Sequence, residues 1–295
     1  MTSLEALFRR AWEAQTSGQH AQAAAIYRDI LQQGQNPQAR PQAWLGLGQC
    51  ELESGNKAEA LKCFREAYAL LPQSGAIKHM VDMLADGDVP DRAPDDYLLW
   101  VFDGHAESFD SHLEALGYRG PEMIALLADA AWEAKPTRAI LDIGCGTGRN
   151  APLFRRYASR LDGMDLAPNM LRLSARRGYD HLYKAEVHPF LAKPPCAYDA
   201  LLSTDVFIYI GRLEGIFANC ARTMTPRHEL LFTIELGDDD KPVRLMPTGR
   251  FRQSDAYIRG LAETHGYDIA ATHDEPLRVE RGVIEPGRAY RLIKR

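Results

Sequence analysis

The residues whose types and spacing could do chemistry gather first around Ile140 to Asn150, "ILDIGCGTGRN". Gly144, Gly146 and Gly148 alternate behind an apolar run, so the chain turns sharply and leaves backbone bare for close approach of a ligand. A dinucleotide fingerprint G-x-G-x-x-G would need glycine at Arg149, and a P-loop would need Gly-Lys-Ser/Thr, which the chain lacks. Asp142, two residues before the first glycine, adds a carboxylate that would repel a pyrophosphate but stabilise an ammonium group. Asp165 ends the run "GMD", 17 residues after Gly148, where a carboxylate can accept both hydroxyls of a ribose. Glu186, after a third candidate strand, can accept a hydrogen bond from an adenine amino group.

Those groups suit a nucleoside that carries an ammonium group and no phosphates, and the ligand suggested is S-adenosylmethionine (SAM). The elements that must position them follow from Ala139 onward. Strand-like "AILDIG", "RLDGMDL", "HLYKAEV", "YDALLSTDVF" and "HELLFTIEL" alternate with helix-like "RNAPLFRRYA", "NMLRLSARRG", "RLEGIFANCARTM" and "SDAYIRGLAETHGY". "DIAATHD" and "AYRLIKR" supply two terminal strands. Such alternation predicts a Rossmann-like, doubly wound, mostly parallel sheet with ligands bound beyond the carboxyl ends of its strands. Ahead of it, "YLLWVFDGHAESFDSHL" brings Tyr97, Trp100, Val101, His105, Ser108, Phe109 and His112 near one helical stripe, interrupted at Gly104, and "PEMIALLADAAWEA" predicts a further helix.

The front of the chain is different. Trp44, Leu47, Gly48, Ala60, Phe64, Ala67 and Pro72 fall at the spacing of the 34-residue tetratricopeptide (TPR) repeat. Small residues let two antiparallel helices approach, aromatics fill the space between them, and Pro72 ends the second. A degenerate copy lies 37 residues earlier, with Leu7, Ala11, Gly18, Ala23, Tyr27 and Ile30 opposite Trp44, Gly48, Gly55, Ala60, Phe64 and Ala67. "QGQNPQARPQ" between the copies predicts a loop, and Gly75 to Ala85 a capping helix. The fold class expected is therefore α + α/β: TPR-like helices over 1–84, a Pro-, Gly- and Asp-rich linker over 85–96, and the Rossmann-like domain over 97–295.

"ILDIGCGTGRN", "GMDLAPNML" and "YDALLSTDVFIYI" resemble the first motif, the ribose strand and the post-fourth-strand motif of class I SAM-dependent methyltransferases. The whole order, with TPR repeats, "VFDGHAESFDSHL" and "GYRGP", resembles the bacterial TPR-containing methyltransferases across nearly all residues. The resemblance implies that Gly144, Gly146 and Gly148 surround the methionine part of SAM, Asp165 holds the ribose, Glu186 lies by the adenine and Asp205 faces the active site.

Methyl transfer from a sulfonium is an in-line displacement with a neutral leaving group, so alignment dominates and a base matters only where the acceptor holds its proton at neutral pH. "STDV" stands where planar-nitrogen methyltransferases carry Asn-Pro-Pro-Tyr, which favours a small carboxylate or hydroxylated acceptor. The candidate catalytic residues are His105 as a base, Asp205, Tyr209 and Tyr257 to orient the acceptor, and Arg250 to anchor a carboxylate. Phe109 joins them in the pocket, Tyr97 and Phe102 are expected as apolar walls, and Gly237 to Gln253 as a lid or a solvated loop.

Composition narrows the partners. With 295 residues, 45% hydrophobic and 25% charged, the chain can bury two cores. Its net charge of -5 lacks the basic excess that nucleic acid demands. No apolar run approaches a membrane span, so a cytoplasmic protein without membrane or nucleic-acid partners is expected. Five cysteines form neither a Cys-x-x-Cys pair nor a Cys/His cluster, so no metal is expected. A small-molecule substrate is the first expected partner, and protein docking or self-association through the TPR-like region the second. In the competing view the chain is a TPR interaction protein whose second domain is a scaffold or modifies a protein.

Overall fold

The computed structural model describes residues 3–33, 37–280 and 282–295. Two compact units result, the first formed by residues up to Asp88 together with Pro94–Tyr97 and Met246–Gly249. It holds α1 (Leu4–Thr16), α2 (His20–Gln33), α3 (Arg40–Glu53), α4 (Lys57–Leu70) and α5 (Gly75–Asp82). Part of the loop expected between the repeats lies outside the described residues, and its end, from Arg40, already belongs to α3. Small residues decide the helix spacing: a Cβ at Gly46 would stand 2.3 Å from the Tyr27 ring, and one at Gly48 2.5 Å from the Phe64 ring. The Ser74 hydroxyl caps α5 by accepting from the Ile77 amide.

The second unit comprises Val89–Ala93, Leu98–Leu245 and Arg250–Arg295 and includes α6 (Asp95–Phe102) from Leu98 onward, α7 (Ala106–Ala115) and α8 (Gly120–Asp129). The helical stripe thus divides at Gly104, through a 3-10 turn at Asp103–His105, and Trp100 is half exposed. Alternation follows through β1 (Arg138–Ile143), α9 (Ala151–Phe154), β2 (Ala158–Asp165), α10 (Pro168–Ser174), β3 (His181–Lys184), α11 (Val187–Ala192), β4 (Ala200–Ser203), α12 (Glu214–Thr223) and β5 (Glu229–Gly237). The helix expected over "RNAPLFRRYA" is shorter than predicted, four residues of α9 and then a 3-10 turn. Strands β1 to β5 pair in parallel in the order β3-β2-β1-β4-β5. Their apolar residues serve both faces: Leu141, Ile143 and Phe232 on one, Ile140, Leu202 and Leu231 on the other.

The rest of the unit departs from the sequence reading. The segment expected as a lid or loop contains β6 (Val243–Leu245) and β7 (Phe251–Ser254), which extend the sheet beyond the end of β5. After α13 (Asp255–His265), the two short terminal strands are a long hairpin, β8 (Tyr267–Glu280) and β9 (Val283–Lys294), with β9 antiparallel to β5. The register slips between Pro276 and Arg278, so Leu277 and Arg278 are buried in succession where simple alternation would expose one of them. Among the described residues no helix is long and apolar enough to cross a membrane.

Candidate active site

A cavity of about 660 Å³ lies beyond the carboxyl ends of β1, β2 and β4, where a doubly wound sheet receives its ligands. At the end of β1, Gly144 has φ +60°, and a Cβ there would stand 2.3 Å from a Val206 methyl. Gly146, φ +53°, has only a Phe109 ring carbon within 4.0 Å of its would-be Cβ, so its bare backbone faces open cavity. Gly148 is not among the cavity-lining residues; its missing side chain makes room for Arg177 and Tyr179.

Asp165, at the end of β2, lines the cavity beside this turn. Its Oδ2 accepts from the Gly146 amide at 2.9 Å and its Oδ1 from the Ala167 amide at 2.8 Å. Burial raises its pKa, and these backbone donors oppose the rise. Glu186 also lines the cavity, while its carboxylate accepts from the His188 amide at 3.0 Å and lies 3.9 Å from Arg92 Nε.

Asp142, expected beside the ammonium group, is 0% exposed and does not line the cavity. Its two oxygens accept from Asn150 Nδ2 at 2.8 Å and the Tyr179 hydroxyl at 2.5 Å, so its carboxyl braces the glycine turn from below. Burial pushes its pKa up to about 7 against those hydrogen bonds. A raised acid pKa stabilises the fold fully below the unfolded value of about 4, and that contribution is lost as pH rises to about 7. Asp142→Asn is therefore expected to flatten the dependence of Tm on pH between about 4 and 7. Calorimetric melts that keep the wild-type slope would show that this carboxyl does not titrate in that window.

The side of the cavity over β4 and β5 holds charges. Asp205, just after β4, has φ +55°, a left-handed conformation rare for a residue with a Cβ. Its amide donates to Thr233 Oγ1 at 3.1 Å, and Arg278 from β8 pairs with its carboxylate. Arg278 also pairs with buried Glu235, and Arg250 lies between Glu235, at 2.7 Å from Nε, and Glu280, at 2.6 Å from Nη2. Arg250 thus lines the cavity with its guanidinium already engaged by two protein carboxylates. Tyr209 stands edge-on to Phe102, with centroids 5.2 Å apart, and burial raises its pKa. Its turn is tied to β7 by Gln253, whose amide donates to the Phe207 and Ile210 carbonyls at 2.8 Å each.

His105 lines the cavity from the turn between α6 and α7, exposed, with Nδ1 3.3 Å from the Val101 carbonyl. Tyr257 is elsewhere. Its hydroxyl accepts from the Leu213 amide at 2.8 Å and donates to Glu214 at 2.9 Å, because the turn of α13 points it at the start of α12. Tyr97, expected as a wall, packs in the first unit against His79, 4.5 Å between centroids, while Phe102 and Phe109 do line the cavity. Sequence reasoning missed Arg278, Glu280, Glu235 and Tyr118, the last hydrogen-bonded to Thr204 and held well above the usual phenol pKa by burial. Arg278 and Glu280 sit in "PLRVE", where polar residues after a proline resemble any exposed strand end.

Residues 141–232 match the model of a methyltransferase domain, and residues 8–75 that of a tetratricopeptide repeat. The malonyl-[acyl-carrier protein] O-methyltransferase of Serratia marcescens is 31% identical over 35% of this chain and 43% of its own length. A ubiquinone biosynthesis O-methyltransferase of Xylella fastidiosa is 23% identical over 47% of this chain and 65% of its own. The chain therefore spans only about half the length of the curated relatives it matches. Among solved structures, a SAM-dependent methyltransferase of Mesorhizobium loti superposes with a TM-score of 0.46 at 15% identity, over 59% of this chain and all of that one. The magnesium protoporphyrin IX methyltransferase of Synechocystis gives 0.43 at 17%, over 80% and 97%. The protein carries a tetratricopeptide-repeat region over residues 8–75 followed by a methyltransferase domain over residues 141–232.

Proposed function

We propose that the protein transfers a methyl group from SAM to a hydroxyl oxygen of a small, largely apolar molecule. The observation that carries this reading is the cavity over the strand ends, with Asp165 on the β2 side of the bare glycine turn and a charged, strained strand terminus on its β4 side. The residues fit the cofactor: a Cβ at Gly146 would project into open cavity, and Asp165, held by backbone donors at both oxygens, lines that cavity with acceptor capacity for a ribose hydroxyl. SAM, when bound, supplies an electrophilic methyl on a sulfonium whose leaving group is a neutral thioether. Glu186 accepts from the adenine amino group. Leu98, Val101, Phe102, Phe109 and Leu116 form an apolar wall that holds the acceptor body and excludes water from it. Tyr209 orients the hydroxyl and His105 takes its proton. The oxygen is supported by the Serratia and Xylella relatives, both named as O-methyltransferases.

Calorimetry with SAM, followed by a screen of hydroxylated metabolites with methyl-labelled SAM, tests the reading. The expected result is micromolar-range binding, on the order of −8 kcal/mol, and label on oxygen. A protein that binds no SAM overturns the cofactor, and label on nitrogen or carbon overturns the acceptor. His105→Asn is expected to lower turnover more than SAM affinity, with a loss that shrinks as pH rises and the acceptor ionises unaided.

A further inference from the structure

The charges on the β4–β5 side of the cavity are paired with one another. Arg250 faces Glu235 and Glu280, Arg278 faces Asp205, Glu235 and, at 3.6 Å, Glu280, and Arg252 faces Glu235 at 3.7 Å and Glu285. Among the described residues, three guanidiniums thus meet four carboxylates. The other arginines that line the cavity are engaged as well, Arg92 3.9 Å from Glu186 and Arg149 3.7 Å from Glu114. An incoming carboxylate would have to displace one of these partners, exchanging one charge-assisted contact for another beside the remaining acids. Glu280 is the member placed to decide the matter. Its side chain is 26% exposed against 1% for Glu235, it lines the cavity, and it engages Nη2 of Arg250 while Glu235 faces Nε.

We propose that Glu280 sets the charge selectivity of the acceptor site, closing Arg250 to anionic acceptors and reserving the cavity for neutral hydroxyl compounds. The proposal rests on the methyl-transfer reading of this cavity. It departs from the carboxylate acceptor that an arginine at position 250 suggests by itself, because that arginine is neutralised twice.

The test uses the full-length protein saturated with S-adenosylhomocysteine, titrated with benzoate in a calorimeter. Wild type should take up little benzoate, and Glu280→Gln should bind it at least about tenfold more tightly, since Arg250 keeps Glu235 and gains a free side. The double variant Glu280→Gln with Arg250→Gln should lose that gain. Equal benzoate affinity in wild type and Glu280→Gln, whether both bind or neither does, overturns the proposal. So does a double variant that retains the gain. Failure of wild type to bind S-adenosylhomocysteine would instead count against the methyltransferase reading, which keeps the two outcomes separate.

Discussion

Arg278→Met is expected to destabilise the second unit by about 3–5 kcal/mol in urea titrations. Arg278 is 4% exposed and is a counter-ion of both Asp205 and Glu235, so a methionine of similar length fills the space but leaves half-buried Asp205 without its guanidinium and buried Glu235 with only Arg250 and Arg252. Burial already raises the pKa of each, and loss of the guanidinium raises both further, so the variant should regain stability as pH falls and the acids are protonated. Arg278→Lys retains a charge but not the planar fork that reaches two acids at once, and should lie between wild type and methionine. A methionine variant within about 1 kcal/mol of wild type would show that the pairs are solvent-screened contacts without structural weight.

Asp165→Ala is expected to weaken SAM binding by roughly ten- to a hundredfold, the loss of hydrogen bonds worth about 1–3 kcal/mol. Two effects act together: the ribose hydroxyls lose their acceptor, and the Gly146 and Ala167 amides lose the carboxylate that holds the glycine turn against the end of β2. Asp165→Asn separates them, because its single carbonyl oxygen can accept from one of the two amides. Calorimetric affinities measured beside melting temperatures check the assignment. Unchanged SAM affinity in the alanine variant would remove Asp165 from the site.

Much of this arrangement was legible locally. The turn at Gly144 to Gly148 follows from glycines that alone adopt positive φ without strain, and the Asp165 position from the end of an apolar run. The parallel pairing of the first five strands follows from alternation of strands with helices. The close helix packing at Gly48 and Phe64 was readable because TPR spacing encodes which small residue faces which ring.

Other residues shared those local signals and went elsewhere. Asp142 precedes the glycines at the position of a ligand residue, yet β1 is covered on both faces, so its composition carries no sign of which way an acid points. Tyr257 follows the fifth strand closely in sequence, but the helical period turned it toward α12.

The sequence by itself determined the elements and the glycine turn, since these depend on φ preference, periodicity and strand length within a few residues. Only the tertiary structure decided the charged side of the cavity. Arg278 reaches Asp205 across 73 residues of chain because one bulge at Leu277 reverses the side-chain phase of a long hairpin. Whether Arg250 offers a positive charge depends on Glu235 and Glu280 beside it. A charge in the sequence is a property of one residue, whereas the field in a cavity is a sum over groups that only folding brings together.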